Sequence, residues 1–120
     1  MRGIDFVADT NFLIDLHEGK PNIEPFLDQL AAVSVISEIE LLGWYKISES
    51  AKKKLRSLLD DCILIDLTQE IKNLAIELRQ KQEIKVPDAL IAATSLRLQL
   101  PIVTSDKGFR KIDGLELVLI

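Results

Sequence analysis

The chain is short of several residue types, and each shortage excludes something. It has one cysteine, Cys62, so no internal disulfide can form. Its one histidine, His17, is flanked by Asp15 and Glu18 and belongs to no zinc-ligand pattern. There is no glycine-rich phosphate loop and no serine nucleophile elbow. No apolar run is long enough to cross a bilayer. The segment MRGIDFVAD carries acids where a signal peptide needs an apolar core, so a cytoplasmic protein is expected. Positive charge is also scarce. Fifteen Lys and Arg stand against 19 Asp and Glu, a net charge of −4, which argues against nucleic-acid binding by bulk electrostatics.

What is present is enough for a core. With 48% hydrophobic residues in 120, one domain spanning residues 1–120 is expected and disorder is not. No repeat or linker interrupts it. Short apolar runs alternate with amphipathic segments. Residues 3–8, Val33–Ile36, Cys62–Asp66, Ile102–Thr104 and Leu115–Ile120 read as strands, and Cys62 reads as a small buried hydrophobe. Helices are expected from Thr10 or Asn11 to Glu18, from about Asn22 to Leu30, and from Ser37 to about Tyr45. Three more should follow: one from Ser48, one over Thr68–Gln82, and one from Pro87 to Leu98. Strand–helix alternation implies an α/β three-layer sandwich with a mainly parallel central sheet. In such sheets, ligands bind at the carboxyl ends of the strands.

Four acids lie against segments that otherwise read as buried: Asp9, Glu40, Asp88 and Asp106. A carboxylate so placed costs free energy unless something pairs with it. Clustered carboxylates without basic partners suit a hard cation, Mg²⁺ or Mn²⁺. Each acid also has a plain alternative. Asp9-Thr10-Asn11 is a good helix cap. Ser37-x-x-Glu40 matches a capping box. Asp88 sits in a first turn where the helix dipole favours it, although the small Ala89, Ala92 and Ala93 would let that helix approach a neighbour closely. Thr104-Ser105-Asp106 is compatible with an ordinary turn.

Glu38 rivals Glu40; two residues apart on a helix, they diverge by about 200° and cannot share a face. The basic runs Lys52, Lys53, Lys54, Arg56 and Lys107, Arg110, Lys111 suit either phosphate contact or a solvated face. Trp44 and Tyr45 suit either core packing or a contact patch. Asp15, Asp60, Asp61 and Asp66 read as surface or turn acids.

The order of these motifs resembles one family. Asp-Thr-Asn after the first strand, Ser-x-x-Glu-Leu, Pro-Asp-Ala-x-Ile-Ala-Ala and Thr-Ser-Asp-x-x-Phe look like a PIN domain, from about Val7 to Leu117. The chain's length is similar to that of VapC-type toxins of toxin–antitoxin pairs. The resemblance implies an endoribonuclease dependent on Mg²⁺ or Mn²⁺ that leaves a 5′-phosphate and a 3′-hydroxyl. It implies that Asp9, Glu40, Asp88 and Asp106 are the catalytic, metal-binding acids and that Thr10, Asn11 and Ser37 position substrate. The implied partners are RNA (tRNA or another structured RNA), a cognate antitoxin and a second copy in a homodimer. A PIN-fold nuclease of RNA or DNA processing and an inactive binding module are the alternative readings.

Overall fold

The computed structural model describes residues 3–120; the first two positions of the expected N-terminal segment lie outside the described residues. Among the described residues there are five strands: β1 (Phe6–Ala8), β2 (Ala31–Ser34), β3 (Ile63–Ile65), β4 (Ile102–Thr104) and β5 (Leu117–Leu119). They form one sheet in the order β3-β2-β1-β4-β5, and every pairing is parallel. The α-helices are α1 (Thr10–Glu18), α2 (Val35–Leu42), α3 (Glu49–Asp60), α4 (Gln69–Lys81) and α5 (Val86–Leu98). Pro21–Phe26 and Lys107–Lys111 are 3₁₀ segments.

Side chains alternate across the central strands, as a pleated strand requires. Phe6, Ala8, Ala31, Val33 and Val103 face a core shared with Phe12 and Leu13 of α1 and Leu55 and Leu59 of α3. Val7, Ala32 and Ile102 face the other way, onto Ile71, Ala75 and Leu78 of α4 and Ala89 and Ala92 of α5. These are the two outer layers of the expected sandwich. Helix α5 has no wet side over most of its length: Ala89, Ile91, Ala92 and Ala93 are all buried, and the helix packs against α4, α2, β1 and β2. The small residues make that close approach possible.

Several boundaries differ from expectation. Strand β2 runs Ala31–Ser34, so Val35 and Ile36 begin α2 instead of ending a strand. Ser34, not Ser37, is the N-cap, its hydroxyl accepting the Ile36 N–H at 3.2 Å. The capping-box account of Glu40 therefore fails, since the third helical position is Ser37. The helix expected over Asn22–Leu30 is the short 3₁₀ segment Pro21–Phe26, which contains Pro25. The first and last strands are shorter than expected. β3 is an edge strand with Ile63 and Leu64 exposed, and Cys62 precedes it, half-buried.

Candidate active site

The strand order places a crevice between β1 and β4. The chain leaves β1 for β2 on one side, while β4 lies on the other, so the connections diverge at this point. That divergence opens a space beyond the strands' carboxyl ends.

Asp9 directly follows β1 and caps α1. Its Oδ1 accepts the Phe12 N–H at 2.8 Å, so the cap reading is correct but incomplete. Its Oδ2 accepts the hydroxyl of Thr104, the last residue of β4, and the Asn11 amide lies 3.5 Å away. Asp9 is only 1% exposed. Among the described residues it has no ion-pair partner. Burial pushes its pKa from 3.8 up to about 6. Hydrogen bonds from Thr104, Phe12 and Asn11 pull it down, and the charge of Asp106 raises it further.

Glu40 reaches the site from the second turn of α2. Thr10 Oγ1 donates to Glu40 Oε1 at 2.8 Å and lies 2.9 Å from Ser37 Oγ. A hydroxyl has one proton and a carboxylate only accepts, so the Ser37 hydroxyl is the donor to Thr10. Ser37, fully buried, thus holds Thr10, and Thr10 holds Glu40. Glu38 points elsewhere and pairs with Arg56 of α3 at 3.0 Å. The predicted divergence of the two glutamates is what the helix shows, and Glu40 is the one turned toward the crevice.

Asp88 lies in the first turn of α5 and Asp106 two residues beyond β4. The Asp106 N–H donates to Thr104 Oγ1 at 2.9 Å, and Asp106 Oδ1 accepts the Gly108 N–H at 2.8 Å. A Cβ at position 108 would stand 3.0 Å from that oxygen, so glycine leaves the carboxylate its place. The Asp88 pKa is raised, first by burial, then by the charges of Asp106 and Glu40. The four acids therefore share one electrostatic neighbourhood, although they come from four separate elements. Asp9 and Asp106 are also linked physically, through the fully buried Thr104 hydroxyl. Thr104 was visible in the sequence only as part of a turn motif; a threonine ending a buried strand is too common to signal a role.

The donor set fits a hard divalent cation: carboxylate and hydroxyl oxygens, without sulfur or imidazole. The charge of Asp106 raises the pKa of Asp9, those of Asp106 and Glu40 raise that of Asp88, and none of the four acids makes an ion pair among the described residues. Their spacing is open. Among the described residues, no three His, Cys, Asp or Glu side chains are grouped to hold one ion as they stand.

Comparison with known proteins agrees with this geometry. The PIN domain family matches residues 6–115. A chain of a toxin–antitoxin complex from Klebsiella pneumoniae is 30% identical and has a TM-score of 0.80, over 92% of this chain and 95% of that one. A chain of VapBC2 from Rickettsia felis, crystallised with a DNA fragment from its promoter, has a TM-score of 0.80 at 24% identity, over 95% and 97%. VapBC-1 from nontypeable Haemophilus influenzae also reaches 0.80, at 22% identity over 97% and 98%. No curated protein matches in sequence. With a family match over nearly the whole chain and the fold shared end to end, this protein belongs to the PIN domain family.

Proposed function

We propose that the protein is a VapC-type toxin, an endoribonuclease built as one domain over residues 1–120 and controlled by a cognate antitoxin. One observation carries the nuclease reading. Asp9, Glu40, Asp88 and Asp106 come from four elements to the carboxyl edge of the sheet, and among the described residues none of them forms an ion pair. Likeness to chains of toxin–antitoxin complexes supports the toxin role.

In this reading, the four carboxylates would hold one or two Mg²⁺ or Mn²⁺. Such an ion would supply charge neutralisation at the scissile phosphate and acidify the attacking water. The remaining work falls to the chain itself. Thr104 and the Phe12 N–H fix the Asp9 carboxylate, so that its orientation is set before substrate arrives. The Ser37–Thr10 pair does the same for Glu40. Asn11 is exposed beside Asp9, and we assign it to contact with the RNA backbone. Trp44 and Tyr45 are 56% and 85% exposed, which removes core packing as their role. Ile39, beside Glu40 in sequence, is exposed too, and we assign these three side chains to contact with the antitoxin. The protein acts in the cytoplasm, as a homodimer. No described helix is long and apolar enough to cross a membrane.

The test is cleavage of total cellular RNA with Mg²⁺ or Mn²⁺, by the parent and by Asp88→Asn and Glu40→Gln. Discrete products from the parent alone are expected. A parent as inert as both variants, with metal present and all three folded, would leave a nuclease whose substrate is not RNA or a binding module. Equal cleavage by all three would remove the acids from the mechanism.

A further inference from the structure

The crevice has a second lining, of opposite charge. A hollow of about 350 Å³ beside Asp88 and Asp106 is also bounded by Lys85 and Lys111. Lys85 is the N-cap residue of α5, three positions before Asp88. Lys111 ends the 3₁₀ segment that Asp106 caps. Each lysine is therefore positioned by the same local element as one of the acids.

Neither lysine is spent on a structural ion pair among the described residues. The Lys111 ammonium donates to the Glu83 carbonyl, in the segment between α4 and α5. That bond fixes the end of a long side chain and uses one of its three donors. Both ammonium charges act on Asp88, opposing the rise caused by burial and by the other acids.

The first basic run of the sequence contrasts with this pair. On α3, Lys52 pairs with Glu49 at 3.2 Å and Arg56 with Glu38 at 3.0 Å. The positions on α1 and α2 that approach the acids, Thr10, Asn11 and Ser37, bring hydroxyl and amide groups but no cation. Positive charge at the site is thus one-sided.

We propose that Lys85 and Lys111 form a phosphate subsite, which binds the phosphodiester next to the scissile one on the α5 side of the acids. This rests on the nuclease reading above. An acidic crevice repels a polyanion over several ångströms. Two ammonium groups on one rim offset that repulsion and give the strand a fixed direction across the site.

The experiment uses the full chain with Lys85→Ala, Lys111→Ala, the double variant, Lys111→Arg and a Lys53→Ala control on the outer face of α3. The first readout is binding of a fluorescent 20-nucleotide oligouridylate without metal, over a salt series. Each alanine should weaken binding about tenfold, as loss of a charged hydrogen bond does. Each should also flatten the slope of log K against log salt by about 0.7, the counterion share of one single-strand contact. Lys111→Arg should keep the slope, and Lys53→Ala should match the parent.

The second readout is Mg²⁺-dependent cleavage of an RNA that the parent cuts. There, KM should rise with kcat within about twofold, because a contact equal in ground and transition states moves KM alone. If the parent cleaves RNA and the double variant binds and cleaves as the parent does, the subsite is wrong and the nuclease reading survives. If the binding losses appear but the parent cleaves nothing, the subsite stands and the nuclease reading fails. A parent that cleaves RNA but does not bind the oligonucleotide overturns the subsite alone.

Discussion

Two aspartates six residues apart, Asp9 and Asp15, are both buried, at 1% and 6% exposure, and are satisfied in opposite ways. Asp15, near the end of α1, accepts from the Asn22 amide at 3.2 Å and pairs with Lys20 at 3.3 Å. The chain turns back through Gly19, whose φ of 70° suits glycine, to bring both partners to it. Asp15 thus fastens the segment after α1 to the helix, and it is not the surface acid its sequence context suggested. Asp9, at the other end, receives only hydroxyl, amide and backbone donors, and its neighbour in charge is another acid. One carboxylate is neutralised within the fold. The other is oriented but left electrostatically uncompensated, as an acid awaiting a cation would be. The difference marks Asp15 as a structural acid and is what burial, shared by both, does not reveal.

The comparison breaks most visibly in catalysis. Asp9→Asn keeps an oxygen for the Phe12 N–H and is expected to lower RNA cleavage by about a hundred- to a thousand-fold, the several kcal/mol that metal-held charge supplies to the transition state. Asp15→Asn should leave kcat within about twofold in protein that remains folded. Single-turnover cleavage of the same RNA by both variants checks this; equal losses would erase the distinction.

Stability against pH should show the reverse order of cost. An acid whose folded pKa exceeds its unfolded value stabilises the fold when protonated, fully below the unfolded pKa, and that stability is lost as pH rises through the folded pKa. For Asp9 the window runs from 3.8 to about 6. Metal-free parent should therefore gain up to about 3 kcal/mol from this group between neutral pH and pH 4. Asp9→Asn should lack that gain and be more stable than the parent at pH 7. Urea unfolding of both proteins at the two pH values measures the difference. An identical pH dependence would mean that Asp9 is not electrostatically isolated.

Removing Asp15 should cost stability at every pH where the protein folds. Asp15→Ala leaves the Asn22 amide without its buried acceptor, and Asn22 Oδ1 already lacks a hydrogen-bond partner among the described residues. A loss of about 1–3 kcal/mol is expected, read from the shift in urea midpoint. The smallest effect belongs to Glu38 of α2, which is half-buried. Glu38→Gln breaks only the partly solvated contact with Arg56 and should change stability by less than about 1 kcal/mol, with cleavage unaltered. Melting curves and cleavage rates for Glu38→Gln test this, and a marked fall in cleavage would return Glu38 to the site.

Much of the architecture was legible locally. Apolar period and capping residues located α1, α3, α4 and α5 and strand β4 closely, because those signals depend on neighbours in sequence. The error at β2 has a definite cause. Val35 and Ile36 are apolar and suit a strand, yet they form the first turn of α2, half-buried against adjacent elements. That two-residue misplacement made Ser37 a cap and gave Glu40 a structural explanation it does not have. The exposure of β3 was illegible for another reason. CILI reads as a buried strand, but edge or centre is decided by strand order, which no local pattern encodes.

By itself, the sequence determined that Asp9, Asp88 and Asp106 would stand at a strand end or a helix start, since those positions are set by short-range hydrogen bonding and φ/ψ preference. Tertiary structure alone decided which groups meet. Thr104 reaches Asp9 across 95 positions only because β4 pairs with β1. Glu40 is chosen over Glu38 only because α1 presents Thr10 to one face of α2 and α3 presents Arg56 to another. Lys85 and Lys111 share a hollow only because α5 and the turn after β4 close on each other. These juxtapositions follow from how helices pack on a sheet of this order, an arrangement stabilised by the whole core rather than by the residues that meet.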